Sequence, residues 1–249
     1  MPTKARSVSK KTSSSPKTTN TKKPAGKNAT SHPRSYLDVL LYVPNLIGYA
    51  RVILTGVFFY YAFEQENYLF AITCYVASFS LDFFDGYFAR LLNQCSKFGQ
   101  VLDMVTDRVS TAVLLVVLSM LQPDRSRIYA FLLALDFSSH WFHMKSAGSG
   151  HHKKVDENRN IILRLYYATY VVFGYCCVSA EFTYIVLYAL HYEPSLTFPI
   201  LGISFQNILT YCLIPGCVVK NIVNVAQLWS AMCTIAAEDA NEHNNNNKK

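Results

Sequence analysis

The run Thr111–Leu121, TAVLLVVLSML, restricts the fold more than any other feature of the chain. It carries no charge and extends a segment that begins near Gly99. Together they reach the roughly 20 mostly apolar residues that a helix needs to cross a bilayer. Comparable stretches recur through residues 36–236. Six apolar segments are predicted, at about Pro44–Phe63, Tyr68–Leu92, Gly99–Leu121, Arg127–Met144, Ile161–Tyr192 and Pro199–Ala231. Backbone polar groups in lipid must be satisfied within the segment that carries them. The expectation is therefore an all-α, polytopic membrane protein with six transmembrane helices. Tyr36–Val43 precedes the first span and fits the headgroup region, where Tyr36 and Tyr42 are natural anchors. The last two segments are long enough to tilt or bend, and Pro215 with Gly216 gives a reason for a kink in the sixth.

Composition divides the 249 residues into regimes. Residues 1–34 hold nine basic residues and no acidic ones, so the net charge of +7 belongs to this tail. The remainder has fourteen basic against sixteen acidic residues, so charge gives no support to a nucleic-acid-binding fold. The tail is rich in Lys, Ser, Thr and Pro, which predicts disorder. It lacks the apolar core of a secretory signal, and scarce Arg with no apolar face weighs against a transit peptide. It reads as a solvated arm attracted to anionic headgroups. Residues 35–236 form the predicted six-helix catalytic domain, and residues 237–249, ending in an Asn-rich stretch, are predicted to be disordered. The seven cysteines lie mostly in apolar runs without metal-ligand spacing and read as small buried hydrophobes. Connector charges place the basic tail, Arg90–Lys97 and Lys145–Arg159 on one side, which the positive-inside rule makes cytosolic. Arg125 and Arg127 on the other side run against that rule.

Four carboxylates interrupt the second and third segments. Asp82, Asp85, Gly86, Ala89, Arg90, Gly99, Asp103 and Asp107 read D-x2-D-G-x2-A-R-x8-G-x3-D-x3-D. Ionisable groups at membrane depth are costly and mark functional sites. Spacings of three and four place each Asp pair on one helical face. Two such faces opposed suit a hard divalent cation such as Mg2+ or Mn2+. Gly86 and Ala89 allow close approach to the backbone, and Arg90 offers a fork for phosphate. The set reads as metal ligands beside a phosphate clamp, fit for a diphosphate substrate. Ion pairs with Arg51, Arg108 or Arg164 are the structural alternative for any single Asp, and a membrane transporter or a silent scaffold is the alternative for the set.

These eight residues match the signature of the CDP-alcohol phosphatidyltransferases at every position. Val43–Arg51 (VPNLIGYAR) resembles the first-helix motif of the phosphatidylinositol synthases within that family. So do Asn93-Gln94, Leu102–Arg108 with Ser110 and Thr111, Leu135-Asp136 with Ser139-His140-Trp141, and Asn160 with Leu163–Tyr167. The resemblance implies transfer of a phosphatidyl group from CDP-diacylglycerol to myo-inositol, giving phosphatidylinositol and CMP. It implies metal ligation by Asp82, Asp85 and Asp103, with Asp107 as general base that also touches a second ion. Gly86, Ala89 and Arg90 would contact the CDP moiety, with Asn45 near the nucleotide or ions. Arg164 on the fifth helix would contact inositol. His140, in a polar patch with Asp136 and Ser139, reads equally as a pocket donor or a packed polar residue. His151 and His152, with Lys153 and Lys154, read as a solvated basic loop, not as a zinc site. The resemblance also implies a homodimer in the endoplasmic reticulum membrane, with the active site and both termini cytosolic. Glycerol phosphate, serine, choline or inositol phosphate remain open as acceptors.

Overall fold

Among the described residues, six long helices and two short ones build the membrane domain. The computed structural model describes residues 35–148, 170–198 and 202–247. In chain order the helices are α1 (Tyr36–Leu40), α2 (Val43–Phe63), α3 (Tyr68–Leu91), α4 (Lys97–Leu121), α5 (Ser126–Gly148), α6 (Tyr170–Tyr192), α7 (Phe205–Ile208) and α8 (Ile214–Asn246). Among the described residues the only extended pairing is the isolated bridge between Thr197 and Ser204. The basic tail and Arg164 lie outside the described residues, as do His151, His152, Lys153 and Lys154.

Local chemistry sets the helix ends. Ser35 and Asp38 form a capping box at α1. Pro44 occupies the first turn of α2, where its missing N–H costs nothing. Asn67, itself left-handed at φ 34°, caps α3 by accepting from Phe70 N–H. Ser96 Oγ accepts from Gly99 N–H at 2.9 Å to open α4. Between α3 and α4, Asn93 takes the left-handed turn at φ 53°, and Gln94 Oε1 accepts from Val43 N–H at 2.9 Å. That bond ties the α3–α4 loop to the start of α2.

Five elements are long and apolar enough to span a bilayer: α2, α3, α4, α6 and the run from α7 through α8. The sixth helix expected, α5, is 23 residues long, about 34 Å at 1.5 Å per residue. It carries Asp136, His140, His143 and Lys145 and falls short on apolarity, so five of the six expected spans have that support. Large apolar side chains point outward along the bundle, including Ile53, Phe83, Phe131, Val171 and Trp229. An outward apolar surface of this kind suits lipid, and the protein is a multi-pass membrane protein. The inner core gathers Phe58, Tyr75, Leu114, Leu115, Leu118, Tyr184 and Tyr188. Phe58 meets Tyr75 edge-on at 5.0 Å.

The interruption expected in the sixth segment appears as a π-helical turn at Leu209–Leu213, ahead of Pro215 in the first turn of α8. Tyr175 Oη donates to the Cys212 carbonyl at 2.5 Å there, satisfying a backbone group in the irregular turn. Two details differ from expectation. Helix α8 runs to Asn246, so residues 237–246 are helical where the sequence predicts disorder. Ala236, Ala237, Glu238 and Ala240 are good helix formers, and extending an existing helix avoids a new nucleation cost. The cysteines form no disulfide among the described residues, but Cys95, Cys212 and Cys233 are exposed and only Cys74, Cys176 and Cys217 are buried. Cys212 and Cys233 sit on the outer face of the bundle, where a thiol is apolar enough for lipid.

Candidate active site

Helices α2, α3 and α4 converge on one guanidinium. Arg51, on α2, is 2% exposed. Its Nη1 lies 2.7 Å from Asp82 Oδ1 and 2.7 Å from Asp85 Oδ2 on α3, and 2.9 Å from Asp103 Oδ1 on α4. Its Nη2 donates to Asp107 Oδ1. All four carboxylates therefore meet at one point, as the two opposed Asp pairs require. One ligand oxygen from each of Asp82, Asp85 and Asp103 lies within 4.8 Å of the others. A hard divalent cation takes oxygen donors clustered in this way. Charge points the same way, since Arg51 offsets only one of four negative charges. Arg108, beside Asp107 at 3.6 Å, is committed to Asp136 at 2.8 Å. Among the described residues, buried Arg51 Nε has no hydrogen-bond partner.

A layer of hydroxyls lies one helical turn further in. Thr55 Oγ1 lies 2.9 Å from Ser110 Oγ and 3.3 Å from Ser78 Oγ, and Ser78 Oγ donates to the Arg51 carbonyl at 3.2 Å. Small hydroxyls let α2, α3 and α4 approach while hydrogen-bonding across them. Gly99 serves the same approach. A Cβ there would stand 2.8 Å from Asn45 Oδ1. Asn45 is 1% exposed and its Nδ2 donates to the Val39 carbonyl at 2.5 Å.

Two cavities flank the carboxylates. The smaller, of about 210 Å³, is lined by Asn45, Gly86, Ala89 and Arg90 together with Asp85 and Asp103. It brings together all four residues assigned from sequence to the nucleotide side. The larger, of about 570 Å³, runs inward between α3, α4, α5, α6 and α8. Asp82, Asp103 and Asp107 line its mouth, and Asp103 alone of the four faces both cavities. His140 lines the larger cavity; its Nδ1 lies 2.8 Å from the Asp136 carbonyl on its own helix. Arg164 lies outside the described residues.

The fold gathers further residues here that the motif does not name. Sequence spacing offers Arg51 only as an ion-pair partner for a single Asp, yet it contacts four. Glu181 on α6 and Lys220 on α8 line the larger cavity and belong to none of the matched stretches. Each nevertheless carries a signal, as a lone charge inside an apolar helix.

Comparison with known proteins finds relatives over most of the chain. The sequence model of the CDP-alcohol phosphatidyltransferase family matches residues 41–236. A protein of Arabidopsis thaliana called probable CDP-diacylglycerol–inositol 3-phosphatidyltransferase 2 is 42% identical over 204 residues, covering 78% of this chain and 89% of that protein. The CDP-diacylglycerol–inositol 3-phosphatidyltransferase of Candida albicans is 39% identical over 219 residues, covering 87% and 91%. The human enzyme of the same name is 37% identical over 207 residues, covering 82% and 95%. No solved structure matches significantly.

Proposed function

Because this chain belongs to the CDP-alcohol phosphatidyltransferase family, we propose that it transfers the phosphatidyl group of CDP-diacylglycerol to myo-inositol, releasing CMP. One observation carries the mechanism: two cavities open on either side of one carboxylate cluster. The smaller takes the CDP moiety, with Gly86 and Ala89 leaving room for it and Arg90 pairing with phosphate. The larger takes inositol. Asp82, Asp85 and Asp103 would hold a Mg2+ or Mn2+ ion, with Asp107 in the same cluster. When bound, the ion neutralises the diphosphate and the CMP that leaves.

Asp107 lines only the acceptor cavity of the two and is the general base. It takes the proton of an inositol hydroxyl. The hydroxyl oxygen then bonds to the lipid-bearing phosphorus, and the bond from that phosphorus to the CMP oxygen breaks. Arg51 and Arg108 border Asp107 and keep its carboxylate in place. Residues 35–236 form the catalytic domain, both termini and the site face the cytosol, and the protein works as a homodimer in the endoplasmic reticulum membrane.

The test is an assay in membranes from a host without background activity, supplied with CDP-diacylglycerol, Mn2+ and labelled myo-inositol. Labelled lipid is expected from the native chain and not from Asp107→Asn. CMP release only with another alcohol would keep the family and discard inositol. No CMP release with any alcohol would leave transport or scaffolding.

A further inference from the structure

The larger cavity contains an acid and a base for which phosphatidyl transfer itself has no use. Glu181 is held in place from two helices. Tyr75 Oη, on α3, donates to its Oε2 at 2.6 Å, and Thr111 Oγ1, on α4, donates to its Oε1 at 2.7 Å. Lys220 Nζ donates to Asn224 Oδ1 at 2.7 Å. Neither charge makes an ion pair among the described residues, although both line one cavity. Arg108, on the same cavity wall, acts on both through space without an ion pair to either among the described residues, and charges inside a membrane bundle are costly and persist where they meet a ligand or an aqueous path.

We infer that Glu181 and Lys220 are specificity residues for the acceptor, reading hydroxyls on the side of the inositol ring away from the reacting oxygen. This rests on the acceptor reading of the cavity. Thr111 ties the two ends of the site together: its hydroxyl reaches Glu181 and lies 3.0 Å from the carbonyl of Asp107, one turn earlier on α4. One turn of four residues rises ~6 Å, a span comparable with a six-membered ring carrying hydroxyls. Asp107 and Glu181 line the same cavity, so a ring whose reacting hydroxyl meets Asp107 has other hydroxyls to offer Glu181. A carboxylate accepts only and an ammonium donates only. Glu181 accepts hydrogen bonds from ring hydroxyls, and Lys220 donates to hydroxyl oxygens. The wall also supplies neutral partners in Ser110, Tyr184, Asn221 and Asn224, beside the mutually paired Arg108 and Asp136. As an acid and an ammonium on one wall, the pair presents no net charge of its own to favour an anionic or a cationic acceptor. A neutral polyol satisfies both.

The test is steady-state kinetics of the purified chain in nanodiscs, with Glu181→Gln and Lys220→Met. Each variant is expected to raise the KM for myo-inositol about tenfold, the loss of one charged hydrogen bond to ligand. The KM for CDP-diacylglycerol and the melting temperature should stay near wild type. Monodeoxy-inositols complete the cycle: an analogue that costs the wild type about tenfold through Glu181 should cost Glu181→Gln nothing more. An unchanged inositol KM in both variants overturns the inference. So does a lowered melting temperature with both KM values raised, which marks a structural role. Should the variants fail to fold, the analogues on the wild-type chain decide: equal turnover of all of them overturns it. A wild-type chain that makes no inositol lipid defeats the acceptor reading instead. Serine turned over by the native chain in place of inositol would overturn the polyol assignment and retain the acid–base pair for a zwitterion.

Discussion

At the scale of single residues, Arg51 and Asp107 carry opposite expectations. Arg51 Nη1 occupies the point where oxygens of Asp82, Asp85 and Asp103 converge. A cation tethered there opposes a metal ion seeking the same oxygens. Arg51→Gln is therefore expected to tighten Mn2+ binding about tenfold, read by electron paramagnetic resonance titration of purified protein. Equal or weaker binding would mean that Arg51 supports the ion and does not compete with it. Asp107→Asn keeps the shape of the side chain and removes the carboxylate proposed as the base. Its kcat is expected to fall about 100- to 10,000-fold, with CDP-diacylglycerol affinity retained in a binding assay. A kcat near wild type would assign the proton to another group.

At the scale of helices, small residues decide how closely the elements cross. A Cβ on Gly99 meets Asn45 Oδ1 at 2.8 Å, and one on Gly216 meets Ser179 Cβ at 2.5 Å. The first contact is with the tip of a side chain; the second is with the Cβ of buried Ser179, which moves only with the backbone of α6. Gly216→Ala should therefore destabilise more than Gly99→Ala, by about 1–3 kcal/mol against less. Thermal inactivation followed by fluorescence size-exclusion ranks them, and the reverse order would contradict this packing. Gly99→Ala should show its effect in CDP-diacylglycerol affinity instead, because Asn45 lines the smaller cavity.

At the scale of the whole molecule, α2 to α4 supply Arg51 and the four clustered carboxylates, and α5, α6 and α8 close the larger cavity over them. Chelation with EDTA is expected to abolish transfer and lower the melting temperature, with Mn2+ restoring both, since four carboxylates face one guanidinium. A melting temperature indifferent to EDTA would separate the cluster from any bound ion. A chain starting at Ser35 should retain inositol transfer, because the helices that build both cavities lie after it; loss of activity would give the basic tail a catalytic part.

The helices and the carboxylate motif are legible in the order of the residues themselves. Apolar length sets a spanning helix through solvation of its own backbone, and spacings of three and four put Asp82 with Asp85, and Asp103 with Asp107, on shared faces. Both are local properties of consecutive residues, so sequence alone determined them, and α2, α3 and α4 fall within two residues of their predicted bounds. What only the tertiary structure decided is which distant groups meet. Arg51 gathers four carboxylates from 31 to 56 residues away, and Glu181 reaches Tyr75 across 106. No periodicity encodes such pairings, because they depend on how α2, α3, α4 and α6 pack. The same packing placed Asn45 and Arg90 in one cavity and His140 in the other. A charge in an apolar helix announces that it must face inward, and only the assembled bundle says toward what.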